Sequence, residues 1–220
     1  MKTWVTAFFF VICSLAFANS NEPNPKFNTA GNVSYLSPIE KEVIYEINLF
    51  RSNPAKYAEN YIAPLAKNYK GKILSFPNQK PVMTKEGIRA LNECVRELKR
   101  EKPLPLLYPK AGLSKAAKDH VSDQSKTGKT GHTGRDRSEF RQRIERHGNW
   151  QGRIAENIAY GGFSARQTVI FLLIDDDVPD RGHRKNFLHP GFNNIGVAAG
   201  KHPEYITMCV MEFAGGFTGN

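Results

Sequence analysis

Glu156, His183 and the consecutive acids Asp175, Asp176 and Asp177 form the chemically most unusual stretch of this sequence. Glu156 sits in Arg153-Ile154-Ala155-Glu156-Asn157-Ile158, between isoleucines, where an ionised carboxylate is costly unless it is paired, hydrogen-bonded or protonated. His183 lies in Arg181-Gly182-His183-Arg184-Lys185-Asn186, and the two motifs flank the apolar run Val169 to Ile174. A buried helix over that run would bring both ends of the stretch towards one cleft. The three aspartates fall where such a helix ends, and acids there oppose the negative end of the helix dipole. They therefore need compensation. Either Arg181, Arg184 and Lys185 close a local salt-bridge loop with them, or one acid turns inward to complete a site with His183 and Glu156.

Histidines and carboxylates in this number suit a divalent metal or acid-base chemistry. His132, in the loop Gly131-His132-Thr133-Gly134, and His120, on the inward face of a helical pattern, are the other histidines within reach of that chemistry. For His120 the plain reading is a core histidine bonded to a backbone carbonyl. No His-Glu-x-x-His helix, Cys-x-x-Cys pair, nucleophile elbow or glycine-lysine phosphate loop occurs in the chain. Nothing singles out a serine or Cys94 as a nucleophile.

The elements that must position these groups are read from periodicity. Ser37-Pro38-Ile39-Glu40 carries a capping box with proline at the first helical position. It opens a helix with Ile39, Val43, Ile47 and Phe50 near one face. Asn53-Pro54 breaks that helix and starts another through Tyr61. Residues 63–83 show no period and read as a long surface excursion. Thr84 is expected to cap a helix presenting Ile88, Leu91, Val95 and Leu98, and Leu113 to Lys126 a further helix with Ala116, Ala117, His120 and Val121 inward. Residues 136–147 form a basic amphipathic segment, and Ser164 opens the apolar helix ending at Ile174. Ile158 to Tyr160, Asn194 to Ala198 and Tyr205 to Phe213 read as strands, the last of them central. Helices with a few late strands argue for an antiparallel sheet covered by helices.

At 220 residues one domain is expected. Residues 1–18, with Lys2, an apolar run from Val5 to Phe17 and Ala16-Phe17-Ala18, read as a secretory signal cut after Ala18; Ile12 disfavours a lipid anchor at Cys13. Residues 19–35, rich in Asn and Pro, are expected to be a disordered lead-in, with the folded domain over 36–218. Loss of Lys2 lowers the formal charge from +10 to +9. That charge favours anionic surfaces but is too dispersed to specify nucleic acid, and clusters such as 135–146 read as solvated faces. No later apolar run is long enough to span a bilayer. Cys94 and Cys209, left after processing, are expected to be buried free thiols.

Taken together, Ala116-Ala117 with His120 and Asp123, Gly131-His132-Thr133-Gly134, Ala155-Glu156-Asn157-Ile158, Gly182-His183-Arg184-Lys185-Asn186 and Phe192-Asn193-Asn194-Ile195-Gly196-Val197 resemble the CAP superfamily of cysteine-rich secretory, antigen 5 and pathogenesis-related proteins, in its bacterial-type branch. The resemblance implies a three-layer α-β-α sandwich, of α+β class, with a small, mainly antiparallel central sheet. It also implies a cleft lined by His132, Glu156 and His183, with zinc or another divalent cation held by His132 and His183. The family commonly has a glutamate late in the helix before the second histidine motif; Asp175 is the residue here that would stand in for it. His120, Asn157, Arg184 and Asn186 would support the cleft. Family activities are heterogeneous, from sterol or lipid binding to defence and venom roles. Three readings follow. The first is a secreted, monomeric, non-catalytic binding module for an extracellular lipid, glycan or protein. The second is a zinc-dependent hydrolase using His132, His183 and Glu156, in which Glu156 and Asp175 would be the catalytic acids. The third is an adhesion or host-interaction protein using the basic face.

Overall fold

The computed structural model describes residues 24–162 and 164–219. The expected signal, 1–18, and residues 19–23 lie outside them.

Of the lead-in expected over 19–35, residues 24–35 are described and lie against the body of the domain. Thr29 Oγ1 donates to Leu107 O at 2.7 Å, Asn48 Nδ2 donates to Phe27 O at 3.3 Å, and Ala30 is buried. Few apolar residues are needed here because the polar side chains bond back to buried backbone groups.

Helix α1 (Pro38–Ser52) starts at the expected capping box, with Ser37 N donating to Glu40 Oε2 at 2.7 Å. It buries Val43, Ile44, Ile47 and Phe50, while Ile39 stays exposed at its first turn. Asn53 ends α1 and caps α2 (Pro54–Tyr57) by accepting from Lys56 N at 2.9 Å. A π turn over Ala58–Ile62 and a 3-10 turn over Ala63–Asn68 follow. The segment read as a long surface excursion without period contains a small antiparallel sheet of β1 (Tyr69–Lys70), β2 (Ile73–Leu74) and β3 (Val82–Met83). Two-residue strands are too short for alternation to appear in sequence.

Helix α3 (Ile88–Leu98) begins after Gly87, which has φ +65, and not at Thr84. Thr84 instead turns its hydroxyl to Lys72 O at 2.6 Å, fastening the small sheet. The Lys85 and Glu86 amides are met from across the fold by the carboxylate of Asp176, at 2.6 and 2.9 Å.

The central sheet has the order β4 (Tyr108–Pro109), β6 (Asn194–His202), β7 (Ile206–Gly219), β5 (Gly148–Tyr160), antiparallel except for the β4–β6 pair. All three late strands run beyond the expected bounds, β5 most of all, and β7 is central. Side chains alternate across β7 with period two. Cys209, Met211 and Phe213 face the main core with α1, α3, α6 (Ala165–Ile174) and α7 (Gly182–Leu188). Met208, Val210 and Ala214 face α4 (Ala111–Thr127) and α5 (Phe140–Glu145). The result is a three-layer α-β-α sandwich of α+β class. Helix α4 lies directly on β6 because Gly196 has no side chain: a Cβ there would stand 2.1 Å from the Leu113 backbone. Cys94 and Cys209 are buried free thiols, both pushed up to about 12 by burial.

Candidate functional site

Strand β5 is the edge of the central sheet and carries the site on both its faces. Glu156 points to the α4 side with Ile154 and Ile158 as neighbours, and Asn157, next in sequence, serves the α7 side, where its Nδ2 donates to His183 O at 3.1 Å.

On the α4 side, Glu156 is buried and takes two side-chain partners. His132 Nδ1 donates to Oε1 at 2.8 Å and Arg143 Nη2 donates to Oε2 at 2.7 Å. Burial alone would raise this carboxyl, but the bonds from His132 and the charge of Arg143 outweigh it and leave Glu156 below the ordinary glutamate value. The loop bearing His132 is pinned one residue earlier. Gly131 O accepts from Gln124 Nε2 at 2.6 Å and contacts His120 Nε2 at 2.8 Å, while Gly131 N donates to Tyr160 Oη at 2.9 Å. His120 is therefore a buried residue bonded to a carbonyl, and burial lowers its basicity. His132 itself keeps 47% of its side chain exposed.

On the α7 side, α6 ends at Asp175, which adopts the left-handed conformation with φ 56 that aspartate tolerates better than most residues. That turn aims its carboxylate at the start of α7: Oδ1 meets His183 Nδ1 at 2.6 Å, and Oδ2 accepts from the His183 and Arg184 amides at 3.0 and 3.3 Å. The acid thus orients the imidazole and caps α7 together. Asp176 turns its carboxylate to the amides before α3 instead, and Asp177 donates its backbone amide to Glu86 Oε1 at 3.1 Å. The local aspartate-arginine loop expected as one alternative is not formed. Arg181 pairs with Glu86 and Glu93 at 2.6 and 2.7 Å, and buried Arg184 with Glu97 at 2.6 Å. Arg184 also donates to Leu173 O and Ile174 O, satisfying the end of α6 with a cation. Asn186 Nδ2 donates to Asn157 Oδ1 at 2.8 Å, tying α7 to the same face of β5.

Two residues of this site escaped the reading of the sequence. Arg143 belongs to the basic run 135–146, assigned there to solvent, yet it is 2% exposed. Helix α5 turns it inward from a capping box formed by Glu139 and Gln142. Glu212, fully buried on β7, stands opposite Glu156 in register. An acid between Met211 and Phe213 in a central strand was the available signal.

Beside the His183–Asp175 pair lies a cavity of about 250 Å³. Its walls include Leu74, Val82, Ile158, Phe171 and Leu172, and the small sheet β1–β3 forms one side of it. Tyr69 lines it with a buried hydroxyl that has no partner, and burial beside Asp176 pushes that hydroxyl up to about 12.

Each imidazole has Nδ1 against a carboxylate, which in a neutral ring leaves Nε2 as the nitrogen for a ligand, the orientation common in metal-binding histidines. Among the described residues, however, no three His, Cys, Asp or Glu side chains come together to hold a metal. The donor set does not assemble the three-residue shell of a catalytic zinc centre.

The chain belongs to the CAP family, the Cysteine-rich secretory protein family, whose profile matches residues 44–213. No curated protein matches it. Among solved structures it resembles an extracellular SCP-domain protein of Bacillus anthracis (23% identity, TM-score 0.42, 50% of this chain and 34% of the other). It also resembles an outer surface protein of Borrelia burgdorferi (20% identity, TM-score 0.42, 56% of this chain and 86% of the other). The chain thus spans about a third of the length of the Bacillus protein.

Proposed function

We propose that this CAP protein is exported and acts as a binding module for a small lipid-like ligand, held in the cavity beside His183. The observation that carries the reading is the cavity itself: apolar walls for an alkyl body, with the imidazole of His183 at its wall to receive a polar head. Binding sites are commonly of this kind, mostly apolar with a few placed polar groups. Export rests on the amino-terminal reading, and no helix of the described residues is long and apolar enough to cross a membrane. His132 and His183, each with Nδ1 against a carboxylate, are the groups that would take up a divalent cation, zinc included. With no third protein ligand gathered there, we favour binding over metal-dependent hydrolysis.

Decanol and decanoate serve as probes of neutral and anionic head. Calorimetry should show binding by the full chain, and Val82→Trp, which fills the cavity from β3, should weaken it at least about tenfold, or about 1.4 kcal/mol. His183→Ala should weaken binding while circular dichroism stays unchanged. Equal affinity in wild type and Val82→Trp would contradict the reading.

A further inference from the structure

Glu212 and Glu156 are direct cross-strand partners on β7 and β5, on the face of the sheet covered by α4. Side chains opposed in this way stand about 5 Å apart at Cβ, so the two carboxyl groups share one small space. Apolar clusters flank them along the strands, Ile158 with Val210 on one side and Ile154 with Ala214 on the other. On the other neighbouring strand, β6, Glu212 is opposed by Gly196, which brings no side chain.

None of the donors nearby bonds to Glu212, although Arg143 Nε and His120 Nδ1 are buried without a partner of their own. Arg143 on α5 places Nη2 on Glu156 Oε2 and Nη1 on Ser138 O, the latter at 2.8 Å, and His132 is bonded to Glu156 Oε1. His120 on α4, the remaining titratable group facing the pair, turns Nε2 to Gly131 O. Glu212 is left fully buried, with neither oxygen accepting a hydrogen bond. An ionised carboxylate in that position would lie beside a second carboxylate with no donor of its own, the arrangement in which one of two acids holds its proton.

We propose that Glu212 stands as a carboxylic acid whose O–H donates to Glu156, so that the two groups share one proton and one negative charge, and that Glu212 is a positioning residue for His132. The ionised partner is Glu156, which then collects three donors, from His132, Arg143 and Glu212. A carboxylate held from three directions cannot rotate, and it fixes the ring of His132. Arg143 balances the single charge of the pair. The same physical causes act on Glu212's own equilibrium: burial first, then the charge of Glu156, hold it well above the ordinary glutamate value. Neither the shared proton nor the positioning of His132 depends on the ligand cavity proposed above, which His132 does not line.

The experiment is carbon-detected NMR of the full chain with glutamate labelled at the side-chain carboxyl, titrated with pH, alongside nitrogen shifts of His132. One glutamate carboxyl is expected to remain at the protonated position at pH 7, and that signal should vanish in Glu212→Gln. Because Gln still donates to Glu156, His132 should keep its tautomer in that variant. In Glu212→Leu the donor is gone, so Glu156 should become less acidic and the His132 nitrogen shifts at pH 7 should change. All glutamates ionised at pH 7 in the folded wild type would overturn the proposal, as would Glu212→Gln disturbing His132 as much as Glu212→Leu does. Should the leucine variant not fold, the wild-type and glutamine spectra decide the question. The measurement uses ligand-free protein, so failure of decanol to bind leaves it standing.

Discussion

Glu212 gives folding an unusual pH dependence. Its folded value lies above the unfolded one, so between the two the native state binds the extra proton and stability falls as pH rises. Glu212→Gln, neutral at every pH, should therefore raise the melting temperature at pH 7 relative to wild type and leave it nearly unchanged at pH 4. A gain at pH 4 as large as that at pH 7, read by scanning calorimetry, would contradict this. Arg143 acts in the opposite sense. Its side chain is 2% exposed and that of Glu156 0%, so Arg143→Met leaves a buried charge unpaired and should cost about 3–5 kcal/mol in denaturant unfolding. At this scale the sequence was partly legible. Glu156 stood out because isoleucines flank it, and His183 because it lies among charges. Arg143 did not stand out: a basic run reads as solvated until the helix that turns one arginine inward is known. Glu212 carried a signal of its own, an acid inside an apolar strand, but its partner across the sheet is defined only by register.

Helix α7 is short and is held at its start from outside. Asp175 meets its first amides, and Arg181, in the left-handed conformation just before it, is clamped by Glu86 and Glu93 from the loop and helix α3. The Arg181 bonds hold both glutamates at about 2, well below their usual range. Such depressed groups contribute stability that is present above about 4.5 and is lost as pH falls towards 2. Amide exchange in α7 should therefore accelerate over that window in wild type. In Arg181→Met it should be fast already at neutral pH; equal protection in both would show that the clamp contributes nothing. The expected start of α3 at Thr84 failed for a related reason. A capping residue was sought next to the helix in sequence, whereas the amides before it are met by Asp176, about ninety residues away. The helix starting at Ser37 was legible because its cap is local. The small sheet β1–β3 was not, since strands of two residues leave no period to read.

The molecule as a whole joins a sandwich foreseen from motifs to a cavity that no motif announced. Five short motifs in a fixed order pointed to the CAP fold, and the match over residues 44–213 shows the family. Their spacing identifies which residues lie near β5 but not what encloses the space beside them. That wall comes from residues 69–83, which pack Leu74 and Val82 opposite Phe171 and Leu172. The proposed ligand site thus depends on a segment that looked featureless. The most direct measurement is an amide and methyl NMR titration of the full chain with decanol. Shifts should concentrate at Leu74, Val82, Ile158 and Leu172 and be lost in Val82→Trp. Shifts confined to other surfaces, or unchanged by that substitution, would contradict a ligand site beside His183.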